Sequence, residues 1–175
     1  MRWTSRGNPD VQVDLTASEA LWLLAPALPV AIYVAFSDLK TMRIPNTSVL
    51  VMLGVFLVAG LIALPMQDYL WRLANFAVVL AIGFVANALR LVGGGDAKYA
   101  AAIAPFFAFS DIRLVLILFA IMLVSAFLVH RLFRAIGPIR RLTKGWKSWD
   151  AGKDFPMGLA LSGLLIAYLG IGALQ

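Results

Sequence analysis

The strongest constraint on this chain comes from its apolar runs, which recur along most of the sequence at the length that a helix needs to cross a bilayer. Of the 175 residues, 62% are hydrophobic and 14% are charged, whereas soluble domains carry about 45–50% apolar and about 25% charged residues. A bilayer-spanning helix needs about 20 mostly apolar residues, and lipid offers no partner for free backbone groups. The sequence therefore predicts an all-α, polytopic integral membrane protein.

Six hydrophobic segments are predicted to be transmembrane helices. They cover approximately residues 19–37, 49–66, 73–89, 96–109, 114–129 and 156–174. Ser18 is the expected N-cap of the first segment, and Pro26 and Pro29 are expected to kink it. The fourth segment is shorter than the others and begins near Asp96. We expect a polar tail over residues 1–18, followed by one six-helix membrane domain over residues 19–175.

Composition excludes several kinds of site. The chain has no cysteine, so it forms no disulfide, carries no thiol nucleophile and has no cysteine-ligated metal or iron–sulfur centre. A single histidine, His130, argues against a histidine-based metal site. We therefore expect neither a metal nor another cofactor. The net charge of +6 could suggest nucleic acid, but in a membrane protein basic residues first report orientation. Membrane lipid is the expected partner of the apolar surface, and no nucleic acid is expected.

The distribution of Lys and Arg predicts the orientation. Loops after the first, third and fifth segments, near residues 38–48, 90–98 and 130–155, contain eleven basic residues: Lys40, Arg43, Arg90, Lys98, Arg131, Arg134, Arg140, Arg141, Lys144, Lys147 and Lys153. The N-terminal tail and the other loops contain four: Arg2, Arg6, Arg72 and Arg113. Cytoplasmic loops carry the excess of basic residues. This bias places the first set of loops in the cytoplasm and both termini outside.

Orientation leaves one good pair of carboxylates. Five acidic residues fall outside, namely Asp10, Asp14, Glu19, Asp68 and Asp111, and four face the cytoplasm, namely Asp38, Asp96, Asp150 and Asp154. Of these four, only Asp38 and Asp96 adjoin the ends of well-formed apolar helices, at a similar membrane depth. Asp38 is also unfavourable where it stands, because a negative charge at a helix C-terminus opposes the helix dipole. We interpret both aspartates as candidate functional residues.

Two carboxyl groups held close together can catalyse peptide hydrolysis. They cannot both ionise cheaply, so one keeps a proton while the other stays charged. The ionised group then deprotonates a water, and the protonated group donates toward the peptide carbonyl oxygen. In this interpretation Gly93, Gly94 and Gly95 permit a sharp turn into the fourth helix with positive φ, and they let a substrate backbone approach Asp96. A plain glycine-rich loop remains the alternative.

Two stretches together resemble the type IV prepilin peptidase family, whose members are membrane aspartyl proteases with a GxGD signature. The stretches are "SDLKTMRIPN", residues 37–46, and "GGGDAKYAAAIAPF", residues 93–106. A weaker match is "FPMGLALSGLL", residues 155–165, which is similar to the last helix of the family. The resemblance implies a GxGD-protease-like bundle, with Asp38 and Asp96 as the catalytic pair. It also implies a set of residues that position substrate or shape the site: Gly93, Gly94, Gly95, Lys98, Lys40, Pro45 and Asn46.

The resemblance also implies an activity, namely removal of a basic leader peptide from prepilin or pseudopilin precursors. Cleavage would take place at the cytoplasmic face of the bacterial inner membrane. Many members carry a cysteine-bearing cytoplasmic insert and also methylate the new N-terminus. Here the loop after the first segment has only about ten residues and the chain has no cysteine. The chain is therefore similar to the minimal, peptidase-only branch that serves Flp or tight-adherence pili, and N-methylation is not expected.

Three features have simpler explanations than catalysis. Residues 139–153 combine basic residues with Trp146 and Trp149, a pattern typical of lipid anchoring. His130 is interpreted as an interfacial residue or helix cap, and Asp154 as a loop charge that could approach the site.

Two other functions remain open. One is a small transporter that binds protons or cations through the same aspartates; the other is a non-enzymatic membrane subunit.

Overall fold

The computed structural model describes residues 12–150 and 155–175, and within these ranges the regular structure is helical. Seven α-helices follow one another: α1 (Ala17–Thr41), α2 (Asn46–Ala63), α3 (Met66–Ala88), α4 (Gly94–Ile103), α5 (Ile112–Ala135), α6 (Gly137–Leu142) and α7 (Met157–Ala173). Short 3-10 turns lie at Ala104–Phe106, Phe109–Asp111 and Lys147–Trp149. The prediction of an all-α protein is confirmed.

Within residues 12–150 and 155–175, four stretches are long and apolar enough to cross a membrane, namely Ala17–Thr41, Asn46–Ala63, Met66–Ala88 and Phe109–Ala135. They keep apolar side chains on the outside of the bundle: Phe84 of α3 is 74% exposed and Leu116 of α5 is 60% exposed. In water such surfaces would be costly, whereas hydrocarbon accepts them. The helices therefore form a membrane protein whose outer surface suits lipid.

The six predicted segments are all helical, but two of them are shorter than a full span. Helix α4 has 10 residues and is followed by a 3-10 turn that contains Pro105, a residue that disfavours an α-helix interior. Helix α7 has 17 residues. By length, then, four helices qualify as spans, fewer than the six we expected. Helix α6 and the turn Lys147–Trp149 add structure to a segment that the sequence analysis treated as loop.

The start of α1 differs from the prediction. The N-cap is Thr16, not Ser18: the Thr16 hydroxyl accepts a hydrogen bond from the backbone N–H of Glu19, and the Glu19 carboxylate accepts one from the N–H of Thr16. This reciprocal capping box satisfies two N–H groups that a helix start leaves free. Helix α1 continues through both of its prolines, Pro26 and Pro29.

Helix α1 buries one stripe of mostly small residues. The stripe consists of Ala20, Leu23, Ala27, Ala31, Val34 and Asp38, which recur every three or four positions and so lie on one face. Small side chains let helix backbones approach closely, and a Cβ added at Gly172 of α7 would lie only 2.9 Å from the Ala20 Cβ. The stripe packs along α7, which lies between α1 and α5. Asp38 is thus buried because it occupies the last position of a helix-packing stripe.

Helix α4 fills the centre of the bundle, where it contacts α2, α3 and α7. Its Tyr99 is fully buried and shares a 3.0 Å hydrogen bond with the Ser162 hydroxyl of α7. At the end of α4, Phe106 is also fully buried and packs edge-on against Phe56 of α2. These contacts fix α4 between three helices, and they therefore fix the position of its first turn, which carries Asp96.

The two ends of the described chain lie together at one end of the bundle. The N–H of Val13 donates to the Gln175 side chain at 3.2 Å, and the N–H of Asp14 donates to the Asp111 carboxylate at 2.7 Å. Arg72, only 5% exposed, donates to the carbonyls of Asp14 and Phe106 at 3.0 Å each. The turn after α1 and the glycine turn before α4 form the opposite end, described next.

Candidate active site

Asp38 is held in place by the start of another helix. It lies in the last turn of α1, is 4% exposed, and its Oδ2 accepts a 2.7 Å hydrogen bond from the backbone N–H of Gly158 in the first turn of α7. The α7 N-terminus carries a partial positive charge and unpaired N–H groups. It therefore offers Asp38 the compensation that the C-terminus of α1 does not.

Gly158 is a site residue that the sequence analysis did not identify. A Cβ at this position would lie 3.0 Å from Asp38 Oδ2, 3.1 Å from Asp38 Cβ and 3.1 Å from Ile44 Cδ1. Such contacts are tighter than ordinary packing, so only glycine lets the α7 backbone come this close to the carboxylate. The available signal was the glycine in "FPMG", residues 155–158, within the stretch that is similar to the last helix of the family.

The turn between α1 and α2 forms the floor of the site. Helix α1 ends at Met42, which adopts left-handed φ of 53° and whose N–H donates to the Asp38 carbonyl at 2.8 Å. Pro45 then caps the start of α2 in extended conformation. Between them Ile44 is buried, and a Cβ at Gly95 would lie 3.6 Å from the Ile44 Cβ. Ile44 thus joins α7 to the start of α4, a role that the sequence did not indicate.

The glycine turn lets the Asp96 carboxylate lie close to its backbone, and it does so without positive φ. Gly93 has φ of −64°, and neither Gly94 nor Gly95 is among the described residues with positive φ. The expected positive φ at these glycines is therefore wrong. A Cβ at Gly93 would instead lie 2.6 Å from Asp96 Oδ2, which no structure tolerates without displacement. The carboxylate lies over the bare backbone of Gly93, in the first turn of α4.

Both aspartates line one cavity of about 560 Å³. Its walls are formed by Asp38, Met42, Arg43, Ile44, Asn46, Gly93, Gly94, Gly95, Asp96, Phe155 and Met157. The negative charges of Asp38 and Asp96 act on each other within it, and partial burial raises the pKa of the Asp96 carboxyl above its usual range. Helices α1 and α4 reach this cavity from different sides, and α7 and the Met42–Asn46 turn join them. The cavity brings together the pair that the sequence analysis selected.

The other predicted positioning residues divide into two groups. Asn46 lines the cavity, and its Oδ1 accepts a 3.4 Å hydrogen bond from the exposed Lys98 Nζ. Lys98 therefore does not line the cavity itself but contacts Asn46, which does. Lys40 and Pro45 do not line the cavity: Lys40 Nζ lies 5.9 Å from the Phe36 ring centre, and Pro45 acts as the cap of α2. Arg43 does line the cavity, although the sequence analysis did not select it.

The segment after α5 packs against the protein more than we expected. Trp149 is 4% exposed and stacks on His130, with ring centres 5.0 Å apart, so it is not available to lipid. His130 is itself buried, and α5 continues to Ala135, so the interpretation of His130 as an interfacial residue or cap is wrong. The His130 ring also contacts Phe155, which lines the cavity. Asp154 lies outside the described residues.

No cluster of three or more His, Cys, Asp or Glu side chains occurs within residues 12–150 and 155–175. Among the described residues that line the cavity, those with polar or charged side chains are Asp38, Arg43, Asn46 and Asp96. Two carboxyls that interact electrostatically have macroscopic pKa values that belong to the pair. Such a pair can hold one proton between them and act on a water as base and acid together.

Comparison with known proteins identifies the family of the chain. A model of the type IV leader peptidase family matches residues 26–129, a stretch that covers more than half of the chain and contains both Asp38 and Asp96. No curated protein and no solved structure matches the chain. The matched region runs from α1 to α5 and includes the glycine turn. With more than half of its length covered by one family, this chain belongs to the type IV leader peptidase family.

Proposed function

We propose that this protein is a membrane-embedded aspartic endopeptidase that removes the basic leader peptide of prepilin-like precursors, with Asp38 and Asp96 as its catalytic pair. The observation that carries the proposal is their position in one cavity at one end of the bundle. Membership of the type IV leader peptidase family supplies the reaction class. The resemblance noted above supplies the precursor, a prepilin or pseudopilin.

Hydrolysis by this pair needs one ionised and one protonated carboxyl. The ionised carboxylate takes a proton from a water while the water oxygen forms a bond to the peptide carbonyl carbon. The protonated carboxyl gives its proton to the carbonyl oxygen, so the tetrahedral intermediate is uncharged. When the C–N bond breaks, the amine nitrogen takes the first proton and the second carboxyl regains its own. Both carboxyls return to their starting state, and no metal takes part.

The arrangement of charge supports a cytoplasmic active site in the bacterial inner membrane. The cavity is lined by residues of the turn after α1 and of the glycine turn before α4, which belong to the loops that the excess of Lys and Arg predicts to be cytoplasmic. The two ends of the described chain lie together at the other end, as the Val13–Gln175 hydrogen bond indicates. We therefore propose that both termini are outside and that the precursor is cut on the cytoplasmic side.

The short turn between α1 and α2 supports a peptidase-only enzyme. Helix α1 ends at Thr41 and α2 begins at Asn46, so only four residues separate them. The cysteine-bearing insert expected of the larger family members has no place there. We propose that the enzyme is of the minimal Flp type and that the N-terminus of its product stays unmethylated, which the mass of the cleaved precursor tests.

The transporter alternative has less support. Substrate sites in transporters usually lie near the bilayer midplane and often in repeated architectures. Here both acids lie in terminal turns of their helices, Asp38 in the last turn of α1 and Asp96 in the first turn of α4. Family membership also favours peptide cleavage. Uptake into proteoliposomes that depends on Asp38, in the absence of proteolysis, would restore the alternative.

Co-expression with a candidate prepilin precursor tests the proposal. The intact protein should convert the precursor to a shorter form that separates on a gel, whereas Asp38→Asn and Asp96→Asn should leave it uncut. Asp68→Asn is the matched control, since Asp68 is an exposed acid at the start of α3, at the far end of the bundle. All three variants must be present in the membrane in equal amounts. Processing by either of the first two variants would end this account.

A further inference from the structure

The two carboxyls of the cavity stand at opposite kinds of helix end. Asp38 lies in the last turn of α1, and Asp96 lies in the first turn of α4. A helix C-terminus carries partial negative charge and disfavours an anion, whereas a helix N-terminus favours one. The local backbone therefore makes ionisation more favourable at Asp96 than at Asp38.

Burial acts in the same direction. Asp38 is 4% exposed, whereas Asp96 is only half-buried and faces the cavity. Removing a carboxylate from water disfavours its charged form, and the effect grows with burial. Because the two charges also repel each other, the pair holds its proton on the member that is worse placed to ionise. Arg43, the basic residue of the cavity wall, is exposed to solvent, and solvent screens its charge, so it does not reverse this order.

Within the described residues, the α7 N-terminus opposes this order, because the Gly158 N–H donates to Asp38 Oδ2 at 2.7 Å. This contact does not require Asp38 to be charged. The carbonyl oxygen of a protonated carboxyl also accepts such a hydrogen bond, although less strongly than a carboxylate oxygen does, and its other oxygen then carries the proton. Since Oδ2 is occupied by the α7 backbone and Asp38 lines the cavity, Oδ1 is the oxygen left for a substrate. The contact therefore determines which oxygen holds the proton.

We infer, on the basis of the proposed peptidase function, that Asp38 is the general acid, Asp96 is the general base and Gly158 is the residue that positions the acid. Asp96 takes a proton from the water whose oxygen bonds to the peptide carbonyl carbon. Asp38 Oδ1 gives its proton to the carbonyl oxygen, forming an uncharged tetrahedral intermediate. As the C–N bond breaks, Asp96 passes its proton to the leaving amine, and Asp38 recovers one from a hydroxyl of the intermediate.

Infrared spectroscopy of the purified protein over a range of pH tests the roles without any substrate. The carbonyl stretch of a protonated carboxyl is separate from the bands of a carboxylate, and each variant leaves one member of the pair. The protonated-carboxyl band should persist to a higher pH in Asp96→Asn, where Asp38 remains, than in Asp38→Asn, where Asp96 remains. Loss of the band at the same pH in both variants, or at a lower pH in Asp96→Asn, would overturn the assignment. Neither result bears on precursor cleavage, so failure here is distinguishable from failure of the proposed function.

The role of Gly158 is tested by a pair of variants in the same helix. Gly158→Ala places a Cβ 3.0 Å from Asp38 Oδ2, whereas a Cβ at Gly170 meets nothing within 4 Å. In Gly158→Ala the infrared band of the Asp38 carboxyl should shift and kcat should fall about a hundredfold with little change in KM, since small misplacements of catalytic groups have effects of this size. Gly170→Ala should alter neither. An unchanged Asp38 band in Gly158→Ala would refute the positioning role, because a purely structural role leaves that band unmoved.

Discussion

At Asp38, α1 ends with its dipole opposed to a negative charge, and the backbone of α7 supplies a hydrogen bond from the other side of the bundle. The sequence showed that Asp38 was locally unfavourable and paired it with Asp96. It did not show Gly158 or Ile44, because their contacts with the site join residues far apart in the chain: Gly158 lies 120 positions from Asp38. Local patterns predict which side chains can react, whereas the fold decides which backbone groups hold them.

Gly93→Ala tests whether the glycine turn positions Asp96. A Cβ at Gly93 would lie 2.6 Å from Asp96 Oδ2, so the carboxylate must move away. We expect precursor cleavage to fall about a hundredfold while the protein remains folded, since Gly93 precedes α4 and is exposed. Gly54→Ala is the control, because a Cβ there meets nothing within 4 Å. Equal cleavage rates for the two alanine variants would contradict the close-approach account.

The rate of cleavage should depend on pH through Asp96. Partial burial raises the pKa of its carboxyl, and as the base it must be ionised to act. The rate should therefore fall as the pH decreases through a value above the usual aspartate range, and this loss should be reversible. Circular dichroism at each pH checks that the helices persist. A rate that stays constant down to the usual pKa range of aspartate would show that Asp96 does not act as this base.

At the scale of helices, the length of the hydrophobic runs located the apolar helices correctly. The N-cap of α1 and the lengths of α4 and α7 differ from the prediction. Ser18 and Thr16 are both good N-cap residues, and the reciprocal bonds between Thr16 and Glu19 decide in favour of Thr16. Helix α4 ends at Ile103, where a 3-10 turn that contains Pro105 follows, and it still lies at the centre because it packs on three helices. The length of an apolar run predicts a helix, but it does not predict which other helices pack around it.

The start of α1 can be tested by two neighbouring substitutions. Thr16→Ala removes the side-chain half of the capping box and should lower the free energy of unfolding by about 1 kcal/mol. Ser18→Ala should leave it nearly unchanged, because Ser18 is exposed and lies inside the helix. Thermal unfolding of both variants in detergent measures the difference. A larger loss for Ser18→Ala than for Thr16→Ala would restore Ser18 as the cap.

For the molecule as a whole, the two ends of the bundle differ in what they contain: one has the carboxyl pair and the other a network of hydrogen bonds. One end holds the carboxyl pair, and the other ties the chain together: Arg72 donates to the carbonyls of Asp14 and Phe106, and Tyr168 donates to the Asp111 carboxylate at 2.6 Å. Composition and loop charge predicted a membrane bundle with Asp38 and Asp96 on the same side of the membrane. They did not predict this second network, because its acceptors are mostly backbone groups that any residue carries.

Arg72→Met tests the network at the far end from the cavity. The change leaves two carbonyls without their charged donor, and hydrogen bonds to charged groups are worth about 1.5–3 kcal/mol each. We expect the free energy of unfolding to fall by about 3 kcal/mol, measured by unfolding in detergent, with cleavage by the folded fraction retained. The exposed Arg113 provides the control Arg113→Met, which should be close to neutral. A neutral Arg72→Met would mean that these bonds contribute little to stability.

The central claim is that Asp38 and Asp96 act as one catalytic unit, and the most direct measurement is precursor cleavage by purified, lipid-reconstituted protein in four forms. The forms are the intact protein, Asp38→Asn, Asp96→Asn and the double variant. Residues that act as a unit lose nearly everything when either is removed. The account predicts that all three variants fall to the same background rate. It is contradicted if either single variant cuts the precursor at a rate close to that of the intact protein.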